Sequence, residues 1–345
     1  MAAPLDDISV ITIESWMAAP SASAILADLG ADVIKVEPLA GDPMRNLGRP
    51  AKIEGPLAEY DLQFDVDNRG KRSIAVALDT DEGAALVRRL VADADVFMCN
   101  LLPHRQARFG LDPDNLRKIN PKLVHATLTG YGTSGPEATR PGYDVTAFFG
   151  RSGLYDASRE GDDGTVPMAR PAQGDHTTGL AFVGAILAAL RLAERTGRGQ
   201  VVETSLFETA VWTQATDYCV TAVDRAPVRR RARHEMLTPT ANRYPCGDGR
   251  WVVLNSAARD APCSLRGRLE RCSVPSCSAR PRARLFTISS GIGSRPSKRR
   301  RLQISGFTIA GTPLRPGWRC SERICTRFSG PAGGRLRQWC SVTPT

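Results

Sequence analysis

The chain has 345 residues and a formal net charge of +10, a balance that in an evenly charged protein would suit a polyanionic partner such as nucleic acid. The surplus sits at one end, because after Asp260 there are sixteen Arg and one Lys against two Glu, which leaves residues 1–260 at −5. A mildly acidic body of that length excludes a nucleic-acid-binding module and is large enough to enclose a core of its own.

The opening MAAPLDDISV carries acids where a secretory leader needs bases, so a cytoplasmic protein is expected. Ile8–Ile13 reads as a buried strand, Ser21–Leu29 as a helix closed by Gly30, and Asp32–Val36 as a second strand. The alternation continues with a strand over Ser73–Leu78, a helix over Asp81–Ala92, a strand over Val96–Cys99, a helix over Pro113–Ile119 and a strand over Leu123–Leu128. Repeated βαβ units of this kind predict an α/β fold, a Rossmann-like parallel sheet with helices on both faces. No G-x-G-x-x-G follows the first strand, so neither a nicotinamide nor a flavin cofactor is expected, although ligands should still gather at the carboxyl ends of the strands. Cys99, Cys219 and Cys246 read as reduced, mostly buried thiols, and the apolar run Leu180–Leu190 is too short to cross a membrane.

The segment Gly174-Asp175-His176-Thr177-Thr178-Gly179 opens a helix predicted over Thr177–Glu194, with small and apolar residues on almost every side. Gly174 would turn the backbone just before it, and Asp175 would then stand at the helix mouth. There a carboxylate meets free N–H groups and the positive end of the helix dipole, which suits a nucleophile. The same position suits an ordinary N-cap that does no chemistry, and this pattern leaves both readings open. His176, next in the chain, is a weaker candidate, because an ionised carboxylate attacks without a base.

Six motifs occur in order: Leu26-Ala27-Asp28-Leu29-Gly30-Ala31-Asp32-Val33-Ile34-Lys35-Val36-Glu37-Pro38 with Gly41-Asp42-Pro43 and Arg45; Asn68-Arg69-Gly70-Lys71-Arg72-Ser73; Gly130-Tyr131-Gly132 to Gly135-Pro136; Pro141-Gly142-Tyr143-Asp144; Gly174-Asp175; and Thr196-Gly197-Arg198-Gly199-Gln200. From about Leu5 to about Ser256 the chain resembles the class III CoA-transferase family, which includes formyl-CoA transferases and α-methylacyl-CoA racemases. The resemblance implies that Asp175 attacks an acyl-CoA thioester, with CoA and acyl-CoA as substrates, a small carboxylic acid as acceptor, no cofactor and no metal. By the same resemblance Met17, Ala18, Lys71, Asn100, Leu101 and Arg108 line the CoA site, and Lys71 and Arg108 suit its phosphates. Asn100-Leu101-Leu102-Pro103 stands where the family commonly has Asn-Phe-Arg-Pro-Gly, so one aromatic and one Arg are missing. Tyr143 stands where the racemases have His, and a phenol is a poor base at neutral pH, which favours a transferase over a 2-methylacyl-CoA racemase.

Domain limits follow from the same comparison: a large domain over 1–220, the start of a small second domain over 221–260 with a strand in Tyr244–Asn255, and an interlocked homodimer as in the family. Residues 261–345 hold no Asp, Asn, His or Tyr, only two Val, and six of the nine Cys, with no C-x-x-C pair. That composition reads as an out-of-frame, disordered tail, since shifted Ala, Gly and Val codons of a GC-rich gene become Arg, Pro, Ser, Cys and Gly. An inactive product of a frameshifted gene is therefore an alternative to an enzyme, and the acyl donor and acceptor are not identified by the sequence.

Overall fold

The computed structural model describes residues 2–45, 47, 61–236 and 241–255, all within the unit Met1–Thr287; the unit Ile288–Thr345 lies outside the described residues, as does the tail read over 261–345. In chain order the elements are β1 (Ser9–Ile13), α1 (Ala18–Asp28), β2 (Asp32–Glu37), α2 (Leu62–Asn68), β3 (Arg72–Ala75), α3 (Asp81–Ala92), β4 (Val96–Cys99), α4 (Pro103–Phe109), α5 (Pro113–Ile119) and β5 (Val124–Thr129). A π-helix over Asp144–Arg151 follows, then α6 (Leu154–Ala157), α7 (Gln173–Thr196), β6 (Val201–Ser205), α8 (Leu206–Thr213), α9 (Ala215–Asp224) and the strands β7 (Ala241–Pro245) and β8 (Trp251–Asn255).

Among the described residues, β1 to β6 form one parallel sheet in the order β3-β2-β1-β4-β5-β6. This is the Rossmann strand order, whose direction reverses between β1 and β4 and leaves a crevice beyond their carboxyl ends. The central strands β4 (VFMC) and β5 (VHATLT) are buried at every residue, as required when helices cover both faces of a sheet. The edge strands β3 (RSIA) and β6 (VVETS) are largely exposed, and with only two apolar residues ahead of Glu203, Thr204 and Ser205, β6 has no continuous apolar run to mark it as a strand. On one face Val10, Val33, Val96, Met98 and Ala126 pack with Phe182 and Ile186 of α7. On the other, Ile11, Ile13, Phe97 and Cys99 pack with Val87 and Val91 of α3 and Leu116 of α5.

Local chemistry sets the helix limits. Thr80 accepts from the amide of Gly83 at 3.0 Å and Asp112 from that of Asn115 at 3.1 Å, fixing the starts of α3 and α5. α1 starts at Ala18, ahead of the predicted Ser21. Pro20 is tolerated in a first turn, and the Ser21 hydroxyl bonds back to the Ala18 carbonyl at 2.8 Å instead of capping. The strand expected in Tyr244–Asn255 is an antiparallel hairpin, because Cys246-Gly247-Asp248-Gly249-Arg250 turns between β7 and β8. Of the three cysteines expected to be buried, Cys99 is, and burial pushes its thiol up to about 12; Cys246 is half-buried and Cys219 exposed.

α7 differs most from expectation. It begins four residues before the predicted Thr177 and ends on left-handed Gly197, which makes it long and apolar enough, by length and composition, to cross a membrane. Its buried side, with Thr178, Phe182, Val183, Ile186 and Leu190, packs instead on α1 and the sheet. The contact with α1 is close: a Cβ on Gly179 would fall 2.1 Å from Ser21 Oγ and 2.8 Å from the Ala18 carbonyl. Gly184, on the exposed side, has nothing within 4 Å. Opposite outcomes are expected for two alanine substitutions in one helix. Gly179→Ala should destabilise by about 1–3 kcal/mol through overpacking, whereas Gly184→Ala should stabilise by about 0.5–1 kcal/mol through helix propensity. Urea unfolding of both variants beside the parent measures the difference.

Candidate active site

The crevice between β1 and β4 opens into a cavity of about 580 Å³. Asn100, directly after β4, ties the two strand ends together: its Oδ1 accepts from the Ser15 amide at 3.2 Å and its Nδ2 donates to the Ser15 carbonyl at 2.8 Å. The next residue, Trp16, is held in the left-handed region (φ 69°), and Asp42 fixes it there by accepting from its amide at 3.3 Å. Asp42 is fully buried, accepts from the Met44 amide at 2.9 Å and pairs with the equally buried Lys35 at 2.6 Å. The Trp16 ring stands edge-on to Tyr143, with centroids 5.6 Å apart, and both rings line the cavity.

Asp175 lines this cavity from the first turn of α7. Because α7 starts at Gln173, Asp175 is the third helical residue and not the N-cap; that place belongs to Ala172, a non-glycine residue at φ 60° that supplies no side-chain cap. Gly174 is likewise helical, and what it provides is proximity. A Cβ there would lie 2.7 Å from Phe148 Cγ and 3.0 Å from Asp144 Cβ, so only glycine lets α7 meet the π-helix.

That approach puts Asp144, the first residue of the π-helix, against the N-terminus of α7. Its Oδ1 accepts from the Val145 amide at 2.6 Å, and the N–H groups of Ala172 and Gly174 face its carboxyl, while its buried Oδ2 has no partner among the described residues. Burial raises the Asp144 carboxyl above the usual range despite those amides. The free N–H groups at the mouth of α7, expected to meet the Asp175 carboxylate, thus face Asp144 instead. Asp175 itself is pushed up to about 7, by burial first and then by the Asp144 charge, with His176 opposing.

Of the other residues expected at the site, Met17, Ala18, Asn100 and Leu101 line the same cavity. Lys71 and Arg108 do not. The Lys71 ammonium is buried and donates to Glu14 Oε1 at 2.7 Å, the Asp67 carbonyl at 2.7 Å, the Pro20 carbonyl at 3.0 Å and Asn68 Oδ1 at 3.0 Å. With its donors engaged inward, it offers none to a phosphate. Burial pushes the Glu14 carboxyl up, but Lys71 and Lys35 outweigh that and hold it below the usual range. Arg108 is exposed and stacks over Phe109 at the end of α4, whereas Arg105, one turn earlier, lines the cavity. Arg105 is in the first turn of α4, the helix that Pro103 opens directly after the cavity-lining Leu102, and recognising that helix would have pointed to it. Among the described residues no group of three or more His, Cys, Asp or Glu is placed to hold a metal ion.

A Rossmann-order sheet with a half-buried carboxyl in a helix's first turn, lining the crevice at the strand reversal, defines an α/β protein of the kind that gathers ligands at its strand ends. The chain belongs to CoA-transferase family III, whose model matches residues 5–272. It is 33% identical over 251 residues to the (R)-2-hydroxy-4-methylpentanoate CoA-transferase of Clostridioides difficile, covering 72% of this chain and 62% of that one. It is 41% identical over 244 residues to the succinate–glutarate CoA-transferase of Agrobacterium fabrum, covering 68% and 59%. A crystal structure of a CAIB/BAIF family protein from Brucella suis superposes with a TM-score of 0.66 at 35% identity, covering 73% of this chain and 66% of that one. The chain thus spans about 60% of the length of these two curated relatives.

Two measurements test this geometry. Lys71→Met leaves Glu14 buried without its partner and should cost about 3–5 kcal/mol of stability in chemical denaturation, far more than loss of a surface cation. Asp175 has a folded-state pKa of about 7, above its unfolded value, so its contribution is fully present below the unfolded pKa and is lost as pH rises through 7. Asp175→Asn should therefore be more stable than the parent at pH 8, with the gap closing as pH falls towards 4.

Proposed function

We propose that this protein is a CoA-transferase that moves CoA from an acyl-CoA to a carboxylic acid, with Asp175 as the nucleophile. One observation carries the reading: the Asp175 carboxyl, relieved of any capping duty, faces the cavity at the strand reversal from the positive end of α7. The names of the two curated relatives, both CoA-transferases of carboxylic acids, agree with it.

The ionised Asp175 attacks the thioester carbonyl, the C–S bond breaks, and an aspartyl anhydride and CoA thiolate result. The thiolate then attacks the aspartyl carbonyl, which releases the donor acid as its carboxylate and leaves an aspartyl-CoA thioester. The acceptor carboxylate attacks that thioester to give a second anhydride and the thiolate. Return of the thiolate to the acceptor's carbonyl forms the new acyl-CoA and restores the Asp175 carboxylate. No proton is consumed in the cycle. Burial helps here, since a poorly solvated carboxylate attacks more readily, and the helix dipole offsets the negative charge of each tetrahedral step.

Met17, Ala18, Asn100 and Leu101 are assigned to the CoA chain and Arg105 to a phosphate, in the place first given to Lys71 and Arg108. Tyr143 is half-exposed and packs on Trp16, and the Asp144 carboxyl faces the amides of α7, so neither stands as the second base a racemase needs. The same reading takes the protein as a cytoplasmic homodimer in which a partner covers the exposed Leu180 of α7, Trp212 of α8 and Val223 of α9.

Asp175→Ala should abolish CoA exchange between acyl-CoA and free acid with the fold retained, and hydroxylamine added to parent protein and donor should trap an aspartyl hydroxamate at residue 175, located by mass spectrometry. Exchange that survives the substitution would refute the assignment. Because only the ionised carboxyl attacks and its pKa is about 7, the exchange rate should rise from pH 6 to pH 8 along a single ionisation.

A further inference from the structure

Beside the nucleophile lies a second acid that the transfer steps leave unused. Asp67 is buried on α2, and its carboxylate takes both oxygens to His176, with Nε2 at 3.0 Å from Oδ1 and 3.3 Å from Oδ2. The two residues are 109 positions apart in sequence, and His176 directly follows Asp175. We propose that Asp67 is a positioning residue for the nucleophile: its fixed carboxylate holds His176 as a charged imidazolium beside Asp175. This rests on the reading of Asp175 as the nucleophile.

The fixity of Asp67 is visible in its surroundings. Phe64, three residues earlier on the same face of α2, is buried under the Arg45 guanidinium at 4.0 Å, which packs the face that carries Asp67 against its neighbours. Behind it, the Asp67 carbonyl accepts from the Lys71 ammonium at 2.7 Å, and Lys71 is itself held by the buried Glu14. His176, by contrast, is half-exposed, so without this contact its ring would be free to turn into solvent.

The electrostatics run in the same direction. The groups that face His176 are Asp67 and Asp175, which favour its charged form, and Arg69, which opposes it; Arg69 is engaged by Asp28 at 3.0 Å. The hydrogen bond to Asp67 outweighs burial and raises the imidazole above its ordinary range. Asp175 is faced by Asp144 and Asp67, which disfavour its ionisation, and by His176, which favours it more strongly than Asp67 opposes it. A charged His176 therefore keeps part of Asp175 ionised at neutral pH despite two neighbouring acids.

The test reads two quantities, and one needs no activity. The chain has four His, few enough for each ring to be followed by proton NMR against pH in the full chain. Asp67→Asn should lower the His176 titration midpoint and Asp67→Glu should largely restore it; a midpoint that Asp67→Asn leaves in place overturns the proposal. In CoA exchange, His176→Gln should move the acidic midpoint upward by up to about one unit. That is a loss of up to tenfold in rate on the acid side, with the rate approaching the parent's near pH 9. Adding Asp67→Asn to His176→Gln should bring the midpoint back down, because the unpaired acid no longer faces Asp175. A rate lowered equally at every pH, or a double variant with a midpoint no lower than the single's, also overturns it. A parent that exchanges CoA with no acid would refute the transferase reading instead, and the NMR arm would still decide the Asp67–His176 pair.

Discussion

The meeting of the π-helix with the first turn of α7 is the contact on which the rest of the site depends. A helix N-terminus presents N–H groups without partners, and something negative or polar must face them. Here Asp144 does so from another element, an arrangement possible only because residue 174 has no Cβ and Ala172 accepts a left-handed backbone. Asp175 is thereby left free of structural duty at the point where the helix dipole is strongest. The two acids also oppose each other's ionisation, so the contact that frees Asp175 raises its pKa as well.

Behind this contact, the carboxyl ends of β1 and β2 are organised by buried ion pairs. Glu14–Lys71 and Lys35–Asp42 both lie out of solvent, and such pairs add little net stability because desolvation offsets most of their attraction. Their effect is geometric. Asp42 holds Trp16 and Met44 through their amides, and Lys71 fastens α2 to the end of β1. Through α2 that order reaches Asp67 and His176, so the walls of the cavity and the surroundings of Asp175 share one buried scaffold. The left-handed backbone at Trp16 and Ala172, both lining the cavity, is strain that this scaffold sustains.

Much of the fold is legible along the chain. β4, α3 and α5 fall where periodicity and capping residues put them, because continuous apolar runs, Thr80 and the Asp112-Pro113 pair are local signals. Alternation of strand and helix gives a parallel sheet by itself, since parallel neighbours need crossovers. Elements without a strong local pattern are not legible: β6 has two apolar residues followed by three polar ones at a sheet edge, and the first turn of α1, Ala18 to Pro20 ahead of the expected start at Ser21, packs closely against Gly179 with no capping signal of its own.

At the site the division is sharper. The sequence alone determines that Asp175 is the acid to consider, that Met17, Ala18, Asn100 and Leu101 follow strand ends, and that the fold class is α/β, because these depend on residue type and order. The tertiary structure decides that Asp175 is not a cap, that Lys71 turns inward to Glu14 while Arg105 rather than Arg108 faces the cavity, and that Asp67 meets His176. Each of these turns on which way a side chain points and on what lies opposite it. The partners are up to 109 residues apart, and only the folded sheet, with α2 and α7 laid across its strand ends, brings them within hydrogen-bonding distance.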